Sequence, residues 1–374
     1  MAVCAGMNSE FESLQAFVCR ALAFNQVVAF CVTLALGSTA VPADPAQADP
    51  AQADTVPAET VQAEDVVIVS ASGDRRTRLV GEVAELTGKR LVFRHASGRE
   101  EIIAGTRVIQ VDSNWSPQLL KADTFFQQHD YRRALTAYLV ALAAEQRGWV
   151  KQRIRARLVW CNRYLDRIGQ AGATFRVLYD SDPTTRDFAA IPLTWTTGQP
   201  SPNTERRARQ WLTDEDSAVA RLMGASWLLS TSSRAEALQG LKGLVTDKDP
   251  RVVLLAEGQH WRTRLASTRV KDVERWTAVV DQMPVSIRAG PVFVLATALA
   301  RHQDSGSAAL GFMRIPILYP RQRRLSTRSL LAAAGELEKM NRIDEARGLY
   351  RELIVEYPNT DEAEQARQEF DRLK

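Results

Sequence analysis

The sequence predicts a mainly α-helical protein, an α-solenoid of helical hairpins preceded by a small all-β barrel. Three observations predict it. First, a small residue, an aromatic four places on and an aliphatic or alanine three further recur four times, usually with proline beyond. The sets are Ala134, Tyr138 and Ala141 (Gln146 in proline's place); Ala171, Phe175, Leu178 and Pro183; Ala308, Phe312, Ile315 and Pro320; and Ala346, Tyr350, Leu353 and Pro358. Such self-similarity marks a repeat architecture, in which each hairpin buries its apolar face only against its neighbours. Second, the last two hairpins match at one offset of 38: Ala296, Leu299, Ala308, Phe312, Ile315 and Pro320 return as Ala334, Leu337, Ala346, Tyr350, Leu353 and Pro358. Third, between Val66 and Asp112 the apolar period changes from helical to alternating.

At the amino end, Val27–Leu36 is an apolar run of ten, short for a bilayer but suited to the centre of a secretory signal. Ser38-Thr39-Ala40 and Val41-Pro42-Ala43 offer small residues for cleavage. The charge before the run is unusual, with Arg20 beside Glu10 and Glu12. Residues 1–40 are therefore predicted to be a signal peptide and the protein to be exported, to the periplasm or cell envelope. A cytoplasmic location is the less favoured alternative, and membrane contact is expected only through an uncleaved amino-terminal segment. Cys4, Cys19 and Cys31 fall in this leader, which leaves Cys161 alone in the body and excludes an intramolecular disulfide there. Phe30 before Cys31 argues against lipid anchoring. Residues 41–65 contain the tract ADPAQADPAQAD, too poor in apolar mass to offset its ordering entropy, and are predicted to be a disordered tether.

Residues 66–114 hold the segments VVIVS, TRLVGEVAEL, RLVFRH, REEII and RVIQV, separated by short glycine-containing turns. Five short strands so connected predict a small, strongly bent antiparallel barrel. The arrangement resembles the SH3-like or Sm-like barrels. Sm-like relatives often bind RNA, but exposed aromatics suited to stacking bases are absent here, and Phe93 alternates with Val92 and Leu91 as a core residue would. A structural or peptide-contact role is expected of this module, and nucleic acid is disfavoured as a partner.

Residues 116–186 resemble the tetratricopeptide repeat family. In the first hairpin Ala122 and Phe125 take the small and bulky places of the leading helix, His129-Asp130-Tyr131 makes the turn, and Ala134, Tyr138 and Ala141 pack back. The second has a weaker leading helix, Val150–Arg167, with Cys161 in the small place. Residues 187–203, with three prolines, are predicted to be an irregular connection. In residues 204–288 Asp214, Asp216 and Val219 return after 33 residues as Asp247, Asp249 and Val252, and the second set resembles the start of a HEAT-type repeat; aspartate there caps free amides. Residues 289–374 resemble two more tetratricopeptide hairpins and a closing helix from Thr360. The family repeat is 34 residues, four fewer than the spacing here, and Pro316 predicts a kink inside its helix. The resemblance implies a binding scaffold.

Charge and chemistry complete the reading. Of 48 basic residues 40 are arginine, and beyond Asp65 there are 47 basic against 36 acidic residues, so the body should attract anions. Gly81 and Gly88-Lys89 suggest a phosphate loop, but the spacing is too long and Arg90 stands where a hydroxyl belongs. His95, His129, His260 and His302 are scattered without a second ligand at metal spacing. Cys161 has Arg157, Asn162 and Arg163 beside it and no histidine at helical spacing, as a small helix contact would. No catalytic residue, metal site or cofactor is predicted. Two basic groups remain as candidate partner or anion contacts: Arg321, Arg323, Arg324 and Arg328 between the last two repeats, and Lys151, Arg153, Arg155 and Arg157 on one helix. The expected function is that of an exported, non-catalytic scaffold or adaptor that holds a protein or peptide on a helical-repeat surface. The alternative is an anion-binding module, for nucleic acid or envelope polysaccharide, using the barrel and the arginine-rich loops.

Overall fold

The computed structural model describes residues 64–71 and 75–373. The predicted signal peptide at 1–40 and almost all of the tether at 41–65 lie outside the described residues. Alternating apolar residues build five strands: β1 (Asp65–Ser70), β2 (Arg76–Leu86), β3 (Arg90–His95), β4 (Glu100–Ala104) and β5 (Val108–Asp112). All neighbours are antiparallel, in the order β4-β3-β2-β1-β5. The expected barrel is not formed, because the sheet is open. β4 and β5 are its two edges and do not pair, although only the 3-10 turn Gly105–Arg107 separates them in sequence. The Gly105 N–H donates to the Lys89 carbonyl at 2.8 Å, which ties this link to the β2–β3 turn, and β5 spends its hydrogen bonds on β1.

The sheet does not bury its inner face alone. Val67, Val83, Leu91 and Phe93 share one core with Leu119, Tyr138, Ile154 and Leu158 of the helices that follow. Polar contacts fix the docking. The Asp65 carboxylate accepts from the Ser113 hydroxyl and from the Val83 N–H at 2.8 Å. Arg147 donates to Ser113 at 2.8 Å and to Glu145 at 2.9 Å, and it holds the Glu145 carboxyl down at about 2. The Gly88 N–H donates to Asp182 at 2.9 Å, and any Cβ at Gly88 would lie 1.6 Å from the Thr184 carbonyl oxygen.

The remaining described residues are mainly helical. Two hairpins come first: α1 (Pro117–Gln127) with α2 (Tyr131–Ala144), and α3 (Gly148–Tyr164) with α4 (Ile168–Ser181). Five helices follow: α5 (Pro202–Leu212), α6 (Ala218–Leu228), α7 (Arg234–Lys242), α8 (Pro250–Arg262) and α9 (Val270–Gln282). Two hairpins close the series, α10 (Ala289–Arg301) with α11 (Ser305–Leu318) and α12 (Arg323–Lys339) with α13 (Ile343–Glu356), and α14 (Asp361–Arg372) packs on the last.

The four recurring sets all lie on the returning helices α2, α4, α11 and α13, each 14 residues long, and every small, aromatic and aliphatic member is buried. Where the aromatic is tyrosine it has a polar partner on the leading helix: Tyr138 donates to Asp123, and Tyr350 to Glu338 at 2.6 Å. Buried phenol hydroxyls need such acceptors. The four turns repeat as closely as the helices. Two residues before each returning helix stands a non-glycine residue in the left-handed region, His129, Asp166, Gln303 and Asn341, with φ between 59° and 62°. The next N–H reaches back five residues to the leading helix: Asp130 to Phe125, Arg167 to Asn162, Asp304 to Leu299 and Arg342 to Leu337, at 2.8–3.1 Å. This is the six-to-one closure of a helix carboxyl end.

Two local expectations are corrected. By position relative to the turn, buried Val159 takes the small place in α3, while Cys161, also buried, faces the core shared with the sheet. Ser217, not Asp216, caps α6, and Asp214 pairs with Arg176 at 2.6 Å; Asp249 does cap α8. Pro316 does lie inside a helix, as expected, in the last turn of α11, which runs on to Leu318. No helix among the described residues is long and apolar enough to cross a membrane.

Two stability predictions follow from this frame. Gln303→Gly relieves a left-handed side chain and should stabilise by about 0.5 kcal/mol net of glycine's backbone entropy, whereas Gln303→Val should destabilise, read as opposite shifts of the urea midpoint. On α4, Phe175→Ala should cost about 3–5 kcal/mol, while Val177→Ala, at a half-exposed position, should stay within about 0.5 kcal/mol.

Candidate functional site

The series of hairpins returns on itself. The end of α3 meets the loop before α12, 159 residues further on: Arg163 Nη2 donates to Gln322 Oε1 at 2.8 Å, and the Tyr164 hydroxyl donates to the Arg321 carbonyl at 2.7 Å. Gln322 in turn donates to the Ala189 carbonyl at 3.2 Å. Beside this contact lies a cavity of about 530 Å³.

Each wall has a simple local origin. One is the turn region of the first two hairpins, which supplies Tyr131, Arg163, Tyr164 and Ile168. The second is the irregular segment 192–199, with Trp195, backed by Trp227 of α6. A segment without regular structure must find partners for its backbone, and buried side chains provide them. The Thr194 carbonyl accepts from Arg262 at 2.9 Å, Gln259 at 3.0 Å and Ser226 at 3.0 Å, and the Thr196 carbonyl accepts from Arg262 at 2.6 Å. The Trp195 indole lies where α10 carries glycine; a Cβ at Gly290 would sit 1.9 Å from it. The third wall is the start of α12 and of α14, with Arg321, Arg323, Arg324 and Arg328, Tyr357, Asp361 and Glu362.

The structure thus brings all four arginines of the first predicted group to one cavity and adds Arg163, which the sequence reading did not single out. Five guanidinium groups face two carboxylates there. Arg328 pairs with Glu362 at 3.0 Å, and Arg324 pairs with Asp166 at 3.0 Å, where both side chains are 60% exposed and the pair is screened. Arg323 lies over the Tyr357 ring at 4.7 Å. Burial pushes the Arg163 guanidinium down to about 10, and it also lowers Arg321. Burial raises the phenols of Tyr131, Tyr164 and Tyr357, which stay protonated, and that of Tyr164 donates to the Arg321 carbonyl.

The second predicted group does not form one cluster. Arg153 donates to Asp123 at 3.0 Å and covers Trp115, and Arg157 lies 3.8 Å from Asp123 over Phe126. Arg155 reaches only Gln152, at 3.4 Å, and Lys151 stands on its side of α3. Arg153 and Arg157 are nonetheless within electrostatic reach of Arg321. The thiol of Cys161 is pushed up to about 12 by burial, which makes it a packing group. Among the described residues no group of three or more His, Cys, Asp or Glu side chains is placed to hold a metal ion.

No family model matches this chain, and neither a curated protein nor a solved structure matches it at a significant level.

His129 links the site to pH. Its Nδ1 lies 2.9 Å from the Tyr131 hydroxyl and its Nε2 is 3.4 Å from Arg323. Burial first, then Arg323, lowers its pKa below 6.5. A lowered histidine pKa means the folded state favours the neutral ring, so its contribution is complete above pH 6.5 and is lost as pH falls below that value. Wild type should therefore lose more thermal stability between pH 7.5 and 5.5 than His129→Gln, as differential scanning calorimetry would show.

Proposed function

We propose that this protein is a non-catalytic scaffold or adaptor whose hairpins stack as an α-solenoid of tetratricopeptide-like repeats, with HEAT-like helices between them, and that it holds a segment of a protein or peptide partner. The observation that carries the reading is the arginine- and aromatic-lined cavity where the first and last hairpins meet. Concave sites with fixed polar groups are where ligands bind, and this one combines tyrosine and tryptophan rings with five arginines, of which only Arg324 and Arg328 are ion-paired among the described residues. The fourfold turn geometry supports the repeat assignment. We place the protein outside the cytoplasm, in the periplasm or envelope, on the strength of the sequence of residues 1–40.

The alternative, a binder of nucleic acid or envelope polysaccharide, draws on the same arginines. The sheet lends it little, since Arg94 is engaged by Glu82 and Glu100 and Arg90 by Glu85. Selection of a random-peptide library on the full-length protein distinguishes the two. The expected outcome is a family of enriched peptides whose affinity falls about tenfold or more in the double variant Arg321→Glu, Arg323→Glu, with only a shallow dependence on salt. Failure to enrich any peptide, with oligonucleotide or heparin bound along a steep salt slope, would overturn the scaffold reading.

A further inference from the structure

We propose that the cavity between the first and last hairpins is a site for a phosphate monoester. The inference rests on the binding function just proposed and narrows the ligand to one chemistry. Three of the guanidinium groups that line the cavity, those of Arg163, Arg321 and Arg323, have no carboxylate within ion-pair distance among the described residues. Cations gathered in a partly desolvated space without counter-ions are costly unless an anion joins them.

Arg163 is built to receive one. Its Nη1 donates to the carbonyls of Ala189 and Ala190, both at 3.3 Å, its Nη2 donates to Gln322, and its guanidinium carbon lies over the Trp160 ring, 4.3 Å from the centroid. A guanidinium has five N–H groups. The bonds that fix Arg163 leave its Nε–H and one Nη2–H without an acceptor among the described residues, and these donors remain available to an anion. The group is held in place before the ligand arrives.

The backbone adds to the same field. Tyr131, Ile168, Arg323 and Asp361 all line the cavity, and they are the first residues of α2, α4, α12 and α14. Four helix amino ends therefore face the cavity, those of α4 and α12 without a side-chain cap, and the carboxyl ends of α3, at Arg163 and Tyr164, and of α13, at Tyr357, offset part of their field. Asp361 and Glu362 oppose an anion, but Glu362 is already neutralised by Arg328.

Charge selects phosphate over carboxylate. A carboxylate carries one negative charge, too few for the guanidinium groups of Arg163, Arg321 and Arg323 beside Asp361, although Asp187, beyond ion-pair distance, acts on Arg321 as well. A phosphate monoester carries about −1.5 to −2 and three strong acceptor oxygens. The volume of about 530 Å³ admits such an ester with the small group that bears it, and the rings of Tyr131 and Tyr164, 4.3 Å apart, with Trp195 and Trp227, offer that group an apolar wall. A phosphorylated side chain of the partner and a free phosphate ester are the two sources of this chemistry.

Calorimetric titration of the full-length protein with phenyl phosphate, benzoate and inorganic phosphate, and with a tyrosine tripeptide with and without phosphate, tests the proposal. Phenyl phosphate should bind at least about tenfold more tightly than benzoate. Arg321→Ala, which removes a side chain without a partner, should lower that affinity about tenfold, while Arg206→Ala, on α5, should not. Arg163→Lys should lower it similarly and should also lower the melting temperature, since it keeps the charge but loses the fork and the bonds to Ala189, Ala190 and Gln322, so its binding is read at a temperature where the variant is folded. A phosphotyrosine tripeptide that outcompetes inorganic phosphate identifies a partner-borne ester; the reverse order identifies a free one. Benzoate bound as tightly as phenyl phosphate, or phenyl phosphate binding untouched by Arg321→Ala, would overturn the proposal. Enriched peptides from the library that bind without phosphate and ignore Arg321 would overturn it too, yet leave the scaffold function standing.

Discussion

A helix whose buried stripe reads small, aromatic, aliphatic cannot stand alone in water, and most of this architecture follows from that constraint. α2, α4, α11 and α13 each need a wall on both sides of the stripe. The leading helix of the same hairpin supplies one wall and the next element the other. The turn has to deliver the returning helix at one angle, and four side chains accept a left-handed backbone to do so. The open sheet obeys the same demand at the amino end: it covers the first hairpin, and its own inner face is covered in return.

The contact between Arg163 and Gln322 changes what such a series can do. A row of hairpins that met only its neighbours would offer a shallow groove. Here the end of α3 is bonded to the loop before α12, and the segment 192–199 is stitched beneath by Arg262, Gln259 and Ser226. A surface is thereby folded into an enclosure. Hydrogen bonds join apolar packing by Leu193 and Trp195 in this closure, so its geometry is directional, and the side chains around the cavity include five arginines and several aromatic rings besides Asp361 and Glu362.

Much of the fold was legible because the signals were local. The buried stripes, the turn at His129 and the cap at Asp249 each depend on residues a few places apart. The barrel was read too far because strand lengths and turns say nothing about whether the outermost strands pair, and here Gly105 binds to the β2–β3 turn instead. Cys161 was placed by size, whereas register put Val159 at the crossing. The arginines from Arg321 to Arg328 stood out as a cluster in sequence. Arg163, Tyr164 and Trp195 did not, since what makes them a site is a meeting of segments far apart along the chain, which leaves no periodicity to read.

Arg262 illustrates a wider point about composition. Its guanidinium is enclosed, is lowered to about 10 by burial, and spends its hydrogens on the main-chain oxygens of Thr194, Thr196 and Ser226. Arg251 and Arg288 serve neighbouring carbonyls in the same way. Arginine counted from the chain therefore overstates the hydrogen-bond donors that an approaching molecule meets, although the charge itself remains, since part of that number is mortar between strands of backbone. Lysine, with a single rounded head in place of a planar five-pronged one, could match the count at these places without reproducing the masonry.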